Sequence, residues 1–479
     1  MWILAGLTTL TAILLRRNGN RAAATGPVLL LAVLGVALAQ TVVLAVLPAF
    51  GAGLGVPAAD ATWLLTAFML ASAVAVPIAG RLGDLRGHRR VLTAALAALA
   101  VGSAAAAAAD LAGSFPGLLA GRVLQGLSGA AFPAAFGLAR TAVPADRLPR
   151  LVAGISAMFG VGGALGMVAA GPLAGTFGTP ALFWTTLALA VVALAGTRLL
   201  PAEPGTATGR GLDLPGAAAL SATLVALLLA VSRGGTWGWT SPATLGLAAA
   251  AVLGGAAFWR IEARTAAPLV DLGLLRDPAM RAANLATLSV GVGMFAAVTL
   301  IPRLVQDPAF GFAYTPERTG LLMAPMAVTM VVGAPAAARL AARIGDTAVF
   351  RLGAALAVLA LAGLAFGHAH AWQLYAAGSV MGLAYGLAFA SLGAIVVGAS
   401  GRESTGAATG LNTILRTVGG AASAQVAAVV ITAVPGSTGY TAAFLAAACA
   451  AAASIGLASP RRVRGVAAGP GRRFGVSGG

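Results

Sequence analysis

The sequence predicts an all-α polytopic membrane protein with 14 transmembrane helices, on three observations. Only 9% of the 479 residues are charged, 59% are hydrophobic, and the mean hydropathy is +0.93. A soluble chain of this length would need far more polar surface. The apolar residues come in runs of helix length, about 20 residues at 1.5 Å rise, and not in the short alternating segments of a barrel. Arginines cluster between alternate runs, as orientation in a bilayer requires.

The runs lie near 27–49, 61–80, 91–109, 115–139, 151–174, 181–199, 214–232, 242–259, 283–303, 319–338, 351–367, 373–397, 408–432 and 438–458. With a cytoplasmic N-terminus, 25 of the 30 basic residues, all of them Arg, fall on the cytoplasmic side. Arg233, Arg303 and Arg318 fall outside, and Arg122 and Arg416 fall within or at the edge of runs. This alternation predicts a multi-pass protein of the inner or plasma membrane with both termini cytoplasmic. It also accounts for the net charge of +17 without a nucleic-acid partner, because the arginines form no single basic face. Residues 1–15 are apolar but short, and they lack the basic stretch and cleavage site of a signal peptide, so they are left unassigned.

Catalytic and cofactor signals are absent. A phosphate-binding loop of the Walker type is impossible without Lys, and no metal-ligand spacing occurs. The expectation is therefore no cofactor, no metal and no enzyme activity. Cys449 lies in an apolar run and reads as a small hydrophobe. His368 and His370 read as part of a short solvated loop.

Several motifs carry more information. In chain order, "AQTVVLAVLP" holds Gln40 and Thr41, two polar groups in the first run. "GRLGDLRGHRR" follows the second run, with Gly80, Leu82, Asp84, Gly87, Arg89 and Arg90 at fixed spacing. Part of it recurs after the second run of the other half, where Arg339, Leu340 and Gly345 repeat the spacing of Arg81, Leu82 and Gly87. That is what a duplicated transporter body leaves in a sequence. "GRVLQGLSGAAFP" puts Arg122 and Gln125 inside the fourth run, where a charge costs about 3 kcal/mol and needs a polar partner or a cavity. "GVGGALGMVAAGP" puts Gly162, Gly163, Gly166 and Gly171 on the fifth run, where missing side chains allow close helix approach. "GAATGLNTILRTVGGAASA" carries Asn412 and Arg416 in the thirteenth.

Together these stretches resemble the major facilitator superfamily, and within it the fourteen-helix drug:proton antiporters, from about residue 27 to 458. The resemblance implies two six-helix halves plus two inserted helices. The expected units are an N-terminal segment 1–26, an N-terminal half 27–200, inserted helices 201–265, a C-terminal half 266–458 and a cytoplasmic tail 459–479. It implies a secondary transporter that exports a small organic molecule (a drug, antibiotic or metabolite) by alternating access. The partners are then the substrate, membrane lipid and protons, with the chain a monomer. Asp84 is implied as part of a cytoplasmic latch, partnered by the helix start near Ser404 and Thr405. Arg122 is implied in proton coupling. Gly162, Gly166 and Gly171 match an exporter motif, of which Met167 and Ala170 replace two positions. Leu85 and His88 stand where the family usually has basic residues.

The main departure is Ala39, where the family pattern has Asp. All thirteen acids map to loops or helix ends. A buried cation needs a counter-charge, so the expected substrate is neutral or anionic, held by apolar contacts with Gln40, Thr41, Gln306 and Asn412. A coupled proton would then use a peripheral acid such as Asp60, Asp307 or Glu317. Rival readings are an importer or facilitator and a membrane sensor.

Overall fold

The computed structural model describes residues 21–56, 58–144, 146–201, 213–265, 277–400, 405–434 and 436–457. No strand occurs among them. The long helices of the first half are α1 (Arg21–Thr41), α2 (Trp63–Arg86), α3 (His88–Leu111), α4 (Phe115–Gly126 and Ala131–Ala142), α5 (Leu148–Phe177) and α6 (Pro180–Gly196). Then come α7 (Leu214–Trp237) and α8 (Pro242–Glu262). The second half has α9 (Pro278–Gln306), α10 (Pro316–Ile344), α11 (Asp346–Phe366), α12 (Ala371–Ala399), α13 (Thr405–Ala433) and α14 (Ser437–Leu457). Among the described residues, 12 helices are long and apolar enough to cross a membrane by length and composition. The two other expected runs are also helical. One is α13; the other is α4, expected as a single span, which a 3-10 turn at Leu127–Ala130 divides into two 12-residue pieces.

The division of α4 has a local cause. The Ser128 hydroxyl donates back to the Gln125 carbonyl, which competes with the helical ladder. Gly126 and Gly129 press against α2, where an added Cβ would fall on the Phe68 carbonyl or on Ser72. The tighter turn lets the two backbones touch.

Many helix starts follow directly from local chemistry. Ser114, Asp213, Ser241, Asp277 and Thr315 each accept a hydrogen bond from a first-turn N–H, and each is followed by Pro at the first or second helical position. The side-chain oxygen satisfies a free donor, and Pro sits where no N–H is needed. The repeated hairpin is also the same structure twice. Gly87 (φ 95°, ψ 132°) ends α2 and Gly345 (φ 83°, ψ 154°) ends α10. Each donates its N–H four residues back and starts the next helix at once. Only glycine adopts that backbone without strain.

Two cores form, one per half. The first is built on α1 to α6 around Phe50, Phe68, Phe132 and Phe183. The second is built on α9 to α14 around Phe350, Tyr385, Phe389 and Phe444, and it also takes in Val161 and Met167 from α5. The halves therefore meet along α5 and α10. The inserted pair has a distinct position. Leu220, Leu224 and Leu228 of α7 pack on Ala73 and Val76 of α2 and on Ile414 of α13, so α7 covers a seam between the halves. Helix α8 packs on α7, with Gly254 against Thr223, and turns Leu245, Val252 and Leu253 outward. Exposed tryptophans (Trp237, Trp239, Trp259, Trp372) sit at helix ends, the level at which indoles prefer a bilayer interface.

Candidate transport site

The first feature is built on Arg122, which is fully buried. Its Nε donates to the Leu64 carbonyl of α2 at 2.8 Å, and Nη1 donates to the Ala39 carbonyl of α1 at 2.9 Å and to Gln125 Oε1 at 2.7 Å. The guanidinium lies 4.6 Å from the Phe68 ring centroid. Helix α1 ends at Thr41, so Ala39 belongs to its last turn, where carbonyls lack helical partners and a cation is favoured. The residue at which the family pattern has an acid thus meets Arg122 through its backbone. Gln125 extends the network by donating to Ser103 Oγ of α3 at 2.8 Å, and Thr186 of α6 donates to the same oxygen at 3.1 Å. The sequence alone does not single out Ser103 and Thr186. Their only signal is a hydroxyl inside an alanine- or leucine-rich run, Thr186 standing beside Thr185.

The second feature is a narrow crevice between the halves. Gln40 and Thr41 of α1, Phe159 and Met167 of α5, Met294 and Phe295 of α9, and Met323 and Met326 of α10 line it. No acidic residue among the described ones does. Gly163 also lines it, whereas Gly162 and Gly166 face α1: a Cβ on Gly162 would lie 2.6 Å from the Ala37 Cβ and 2.9 Å from the Leu34 carbonyl. Gly171 is buried. Gly162 and Gly166 bring α5 and α1 into backbone contact beside the crevice, as small residues do in membranes.

Arg416 occupies the edge of this region. It is 5% exposed, and its guanidinium carbon lies 3.7 Å from the centroid of Phe159, 5.3 Å from Phe389 and 5.7 Å from Phe132. The three rings come from α5, α12 and α4. Phe295 joins them, 6.4 Å from Phe159. An arginine one turn or more from its sequence neighbours cannot announce such a cage, because the rings are drawn from three other helices.

The other candidate residues are dispersed. Asn412 donates to Thr287 Oγ1 at 2.6 Å and to Asn284 Oδ1 at 3.4 Å, tying α13 to α9 away from the crevice lining. Gln306 is the last residue of α9 and is partly buried. Asp60 and Glu317 are exposed. Asp307 accepts hydrogen bonds from Ala309 N–H at 2.8 Å, Tyr440 Oη at 2.8 Å and Phe310 N–H at 3.2 Å. Partial burial alone would raise its carboxyl, but these bonds together with the charge of Arg303 outweigh it and hold the group below the usual carboxylate range. Cys449 is exposed on α14 and not buried, because a helix this rich in alanine, with no polar stripe, gives no sign of which face meets lipid. His370 and His368 are not merely solvated. His370 caps α12 in a capping box with Gln373, and His368 bonds the Leu364 carbonyl at the end of α11.

At the hairpin, Gly80 is buried and Asp84 meets His88 at 3.3 Å, both side chains 9% exposed. The His88 ring fills a slot between Gly83 of α2 and Gly137 of α4, where any Cβ would fall on it. Gly87 makes the turn; Arg89 is partly buried and Arg90 exposed. The latch partner implied by resemblance, Ser404, lies outside the described residues, and the Thr405 side chain does as well. A different bond crosses between the halves nearby. Arg140 Nη1 at the end of α4 donates to the Val397 carbonyl of α12 at 2.8 Å and to Ser400 Oγ at 3.3 Å. In the sequence Arg140 is one basic residue among many that set orientation.

Comparison with known proteins identifies the scaffold. The Major Facilitator Superfamily profile matches residues 29–424 and again 283–473. The chain is 30% identical over 392 residues to the tetracenomycin C resistance and export protein of Streptomyces glaucescens, covering 81% of this chain and 72% of that one. It is 31% identical over 389 residues to the probable actinorhodin transporter of Streptomyces coelicolor, covering 78% and 66%. It is 27% identical over 360 residues to multidrug resistance protein Stp of Mycobacterium tuberculosis, covering 74% and 66%. The chain thus spans about two thirds of the length of these relatives. Among solved structures, the human organic anion transporter MFSD10 superposes with a TM-score of 0.67 at 18% identity, over 91% of this chain and 99% of that one. The proton:xylose symporter XylE superposes with a TM-score of 0.63 at 13% identity, over 91% and 95%. At these identities the two structures bear on the fold alone. Helical halves meeting at a central crevice, the duplicated hairpin and a profile match over most of the sequence have one common explanation: the chain belongs to the Major Facilitator Superfamily of membrane transporters.

Proposed function

We propose that this chain is a secondary exporter that moves a small organic molecule, neutral or anionic, across the cell membrane by rocking its two halves around the crevice. The observation that carries this reading is the lining of the crevice. Its walls come from both halves, are built of Met, Phe and two uncharged polar residues, and hold no acid to neutralise a cation. The relatives named for antibiotic export and multidrug resistance support outward transport. Coupling to a proton gradient would draw on an acid outside the crevice. Asp307 is a poor carrier near neutral pH, since its bonds favour the ionised form.

The test is a resistance and efflux panel on cells expressing the chain, run beside an Arg122→Ala control. Protection is expected against neutral and acidic aromatic compounds and not against dicationic biocides. Protection confined to the dications would overturn the substrate class, and no Arg122-dependent efflux of any compound would overturn the exporter reading.

The hairpin is proposed as part of the gate. Asp84→Asn keeps the size of the side chain but removes the charge that faces His88. The expected outcome is normal membrane abundance with efflux reduced about tenfold or more, the scale set by losing a partly buried charge-assisted hydrogen bond. Wild-type efflux rates in a normally abundant Asp84→Asn protein would remove Asp84 from the gate.

A further inference from the structure

Arg416 holds hydrogen-bonding capacity that the protein leaves unused. Its Nε and Nη2 have no hydrogen-bond partner, and no salt bridge reaches it among the described residues. The Phe159, Phe389 and Phe132 rings face its positive charge, but phenyl groups accept no conventional hydrogen bond from a guanidinium N–H. Buried donors without partners are uncommon and call for an explanation. Arg122, equally buried, is better satisfied: its Nε and Nη1 are tied to Leu64, Ala39 and Gln125, and of its nitrogens Nη2 is left without a partner, whereas Arg416 leaves both Nε and Nη2.

The unused capacity extends to the neighbouring helices. The Tyr385 hydroxyl on α12 is fully buried and unpartnered, and its ring packs 6.2 Å from Phe389. Ser156 Oγ on α5, one turn before Phe159, is buried and also unpartnered. Donors without acceptors therefore occur on α5, α12 and α13, helices from both halves that build the cage. Phe159 is shared between the cage and the crevice, whose walls are mostly apolar and aromatic.

We propose that Arg416 is the anion-binding residue of the transport site and that the substrate is a small aromatic molecule carrying a single carboxylate or phenolate. The inference rests on the exporter reading above and names the charge and the residue that meets it. The anionic oxygen takes the free N–H groups of Arg416, and the aromatic body lies in the crevice against Phe159, Phe295 and the methionines. A simple inorganic anion would satisfy the guanidinium and leave those walls unused. Because the cage rings come from α4, α5 and α12 and the cation from α13, the bound anion would engage both halves at once.

The test uses the purified full chain in lipid nanodiscs and a matched pair of probes, anthraquinone-2-carboxylate and anthraquinone-2-carboxamide, with affinities measured by calorimetry at pH 7. The two differ in charge and hardly in apolar area, so burial cancels in the ratio. The wild type is expected to prefer the carboxylate by about tenfold or more, the worth of a hydrogen bond to a charged group. Arg416→Gln is expected to bring the ratio close to one, and Arg416→Lys to keep part of it, since the charge remains and the fork is lost. Equal wild-type affinities, no wild-type binding of the carboxylate, or a preference that survives in Arg416→Gln would each overturn the assignment. If Arg416→Gln fails to fold, the wild-type ratio and Arg416→Lys still decide it. Efflux of a neutral compound by a wild type lacking this preference would leave the exporter reading standing while this inference fell.

Discussion

Replacing Arg122 with Ala is expected to abolish efflux and to lower the stability of the purified protein by about 2 kcal/mol or more. The change leaves the Ala39 and Leu64 carbonyls and the Gln125 side chain without their donor, all inside the membrane core. Each buried group left unpaired costs about 1–3 kcal/mol, offset in part because an expensive buried cation is also removed. The functional loss has a separate origin. One guanidinium holds the end of α1, the start of α2 and the middle of α4, and the residue after Ala39 is Gln40 of the crevice wall. Without it the end of α1 loses its cap. Arg122→Lys keeps the charge and can reach fewer of the three acceptors, so partial efflux is expected. Efflux from reconstituted vesicles, with thermal melting as the fold control, checks both. A Lys variant as inactive as the Ala variant would show that the three-way geometry, and not the charge, is what matters.

Gly162→Val is expected to prevent accumulation of the protein in the membrane. Even the first added carbon would overlap the α1 backbone at Leu34 and the Ala37 side chain, and neither can swing aside as a long side chain could. Relieving the overlap means separating two helices along their whole contact, and overpacking of this kind costs about 1–3 kcal/mol or more. Gly163→Ala provides the contrast. Its added methyl meets only the Thr41 methyl, at 3.6 Å, so folding is expected to survive while the crevice narrows. Membrane abundance and gel-filtration profiles of the two variants check the pair. A Gly162→Val protein that accumulates and transports like wild type would show that the α1–α5 contact does not position the crevice.

The candidate site was legible in proportion to how local its signals are. Arg122 stood out because an arginine inside an apolar run has few explanations. Gln40 and Thr41 stood out as polar residues in another such run. The partners of these residues were less visible. Ser103 is 22 residues from Gln125, and Thr186 a further 83 from Ser103. Arg140 reaches Val397 across 257 positions. His88 reads as a departure from a basic pattern, yet it faces Asp84 and fills the slot between Gly83 and Gly137. Asn412 carried the same polar signal as Gln40 and sits in a contact with α9, because polarity alone does not say which neighbour a helix face meets.

The sequence by itself determined the class of the protein and much of its helical layout. Apolar length, alternating arginine clusters, Ser/Asp/Thr caps followed by Pro, and glycines at the positive-φ turns act over a few residues and against a solvent of known thickness. They hold whatever the neighbours are. Only the tertiary structure decided that α4 divides where it touches α2, that α7 covers the seam between α2 and α13, and that Arg416 sits among three phenyl rings with unused donors. These depend on which faces of uniformly apolar helices meet. In a bilayer both lipid and protein are apolar, so hydropathy does not choose between faces, and packing does.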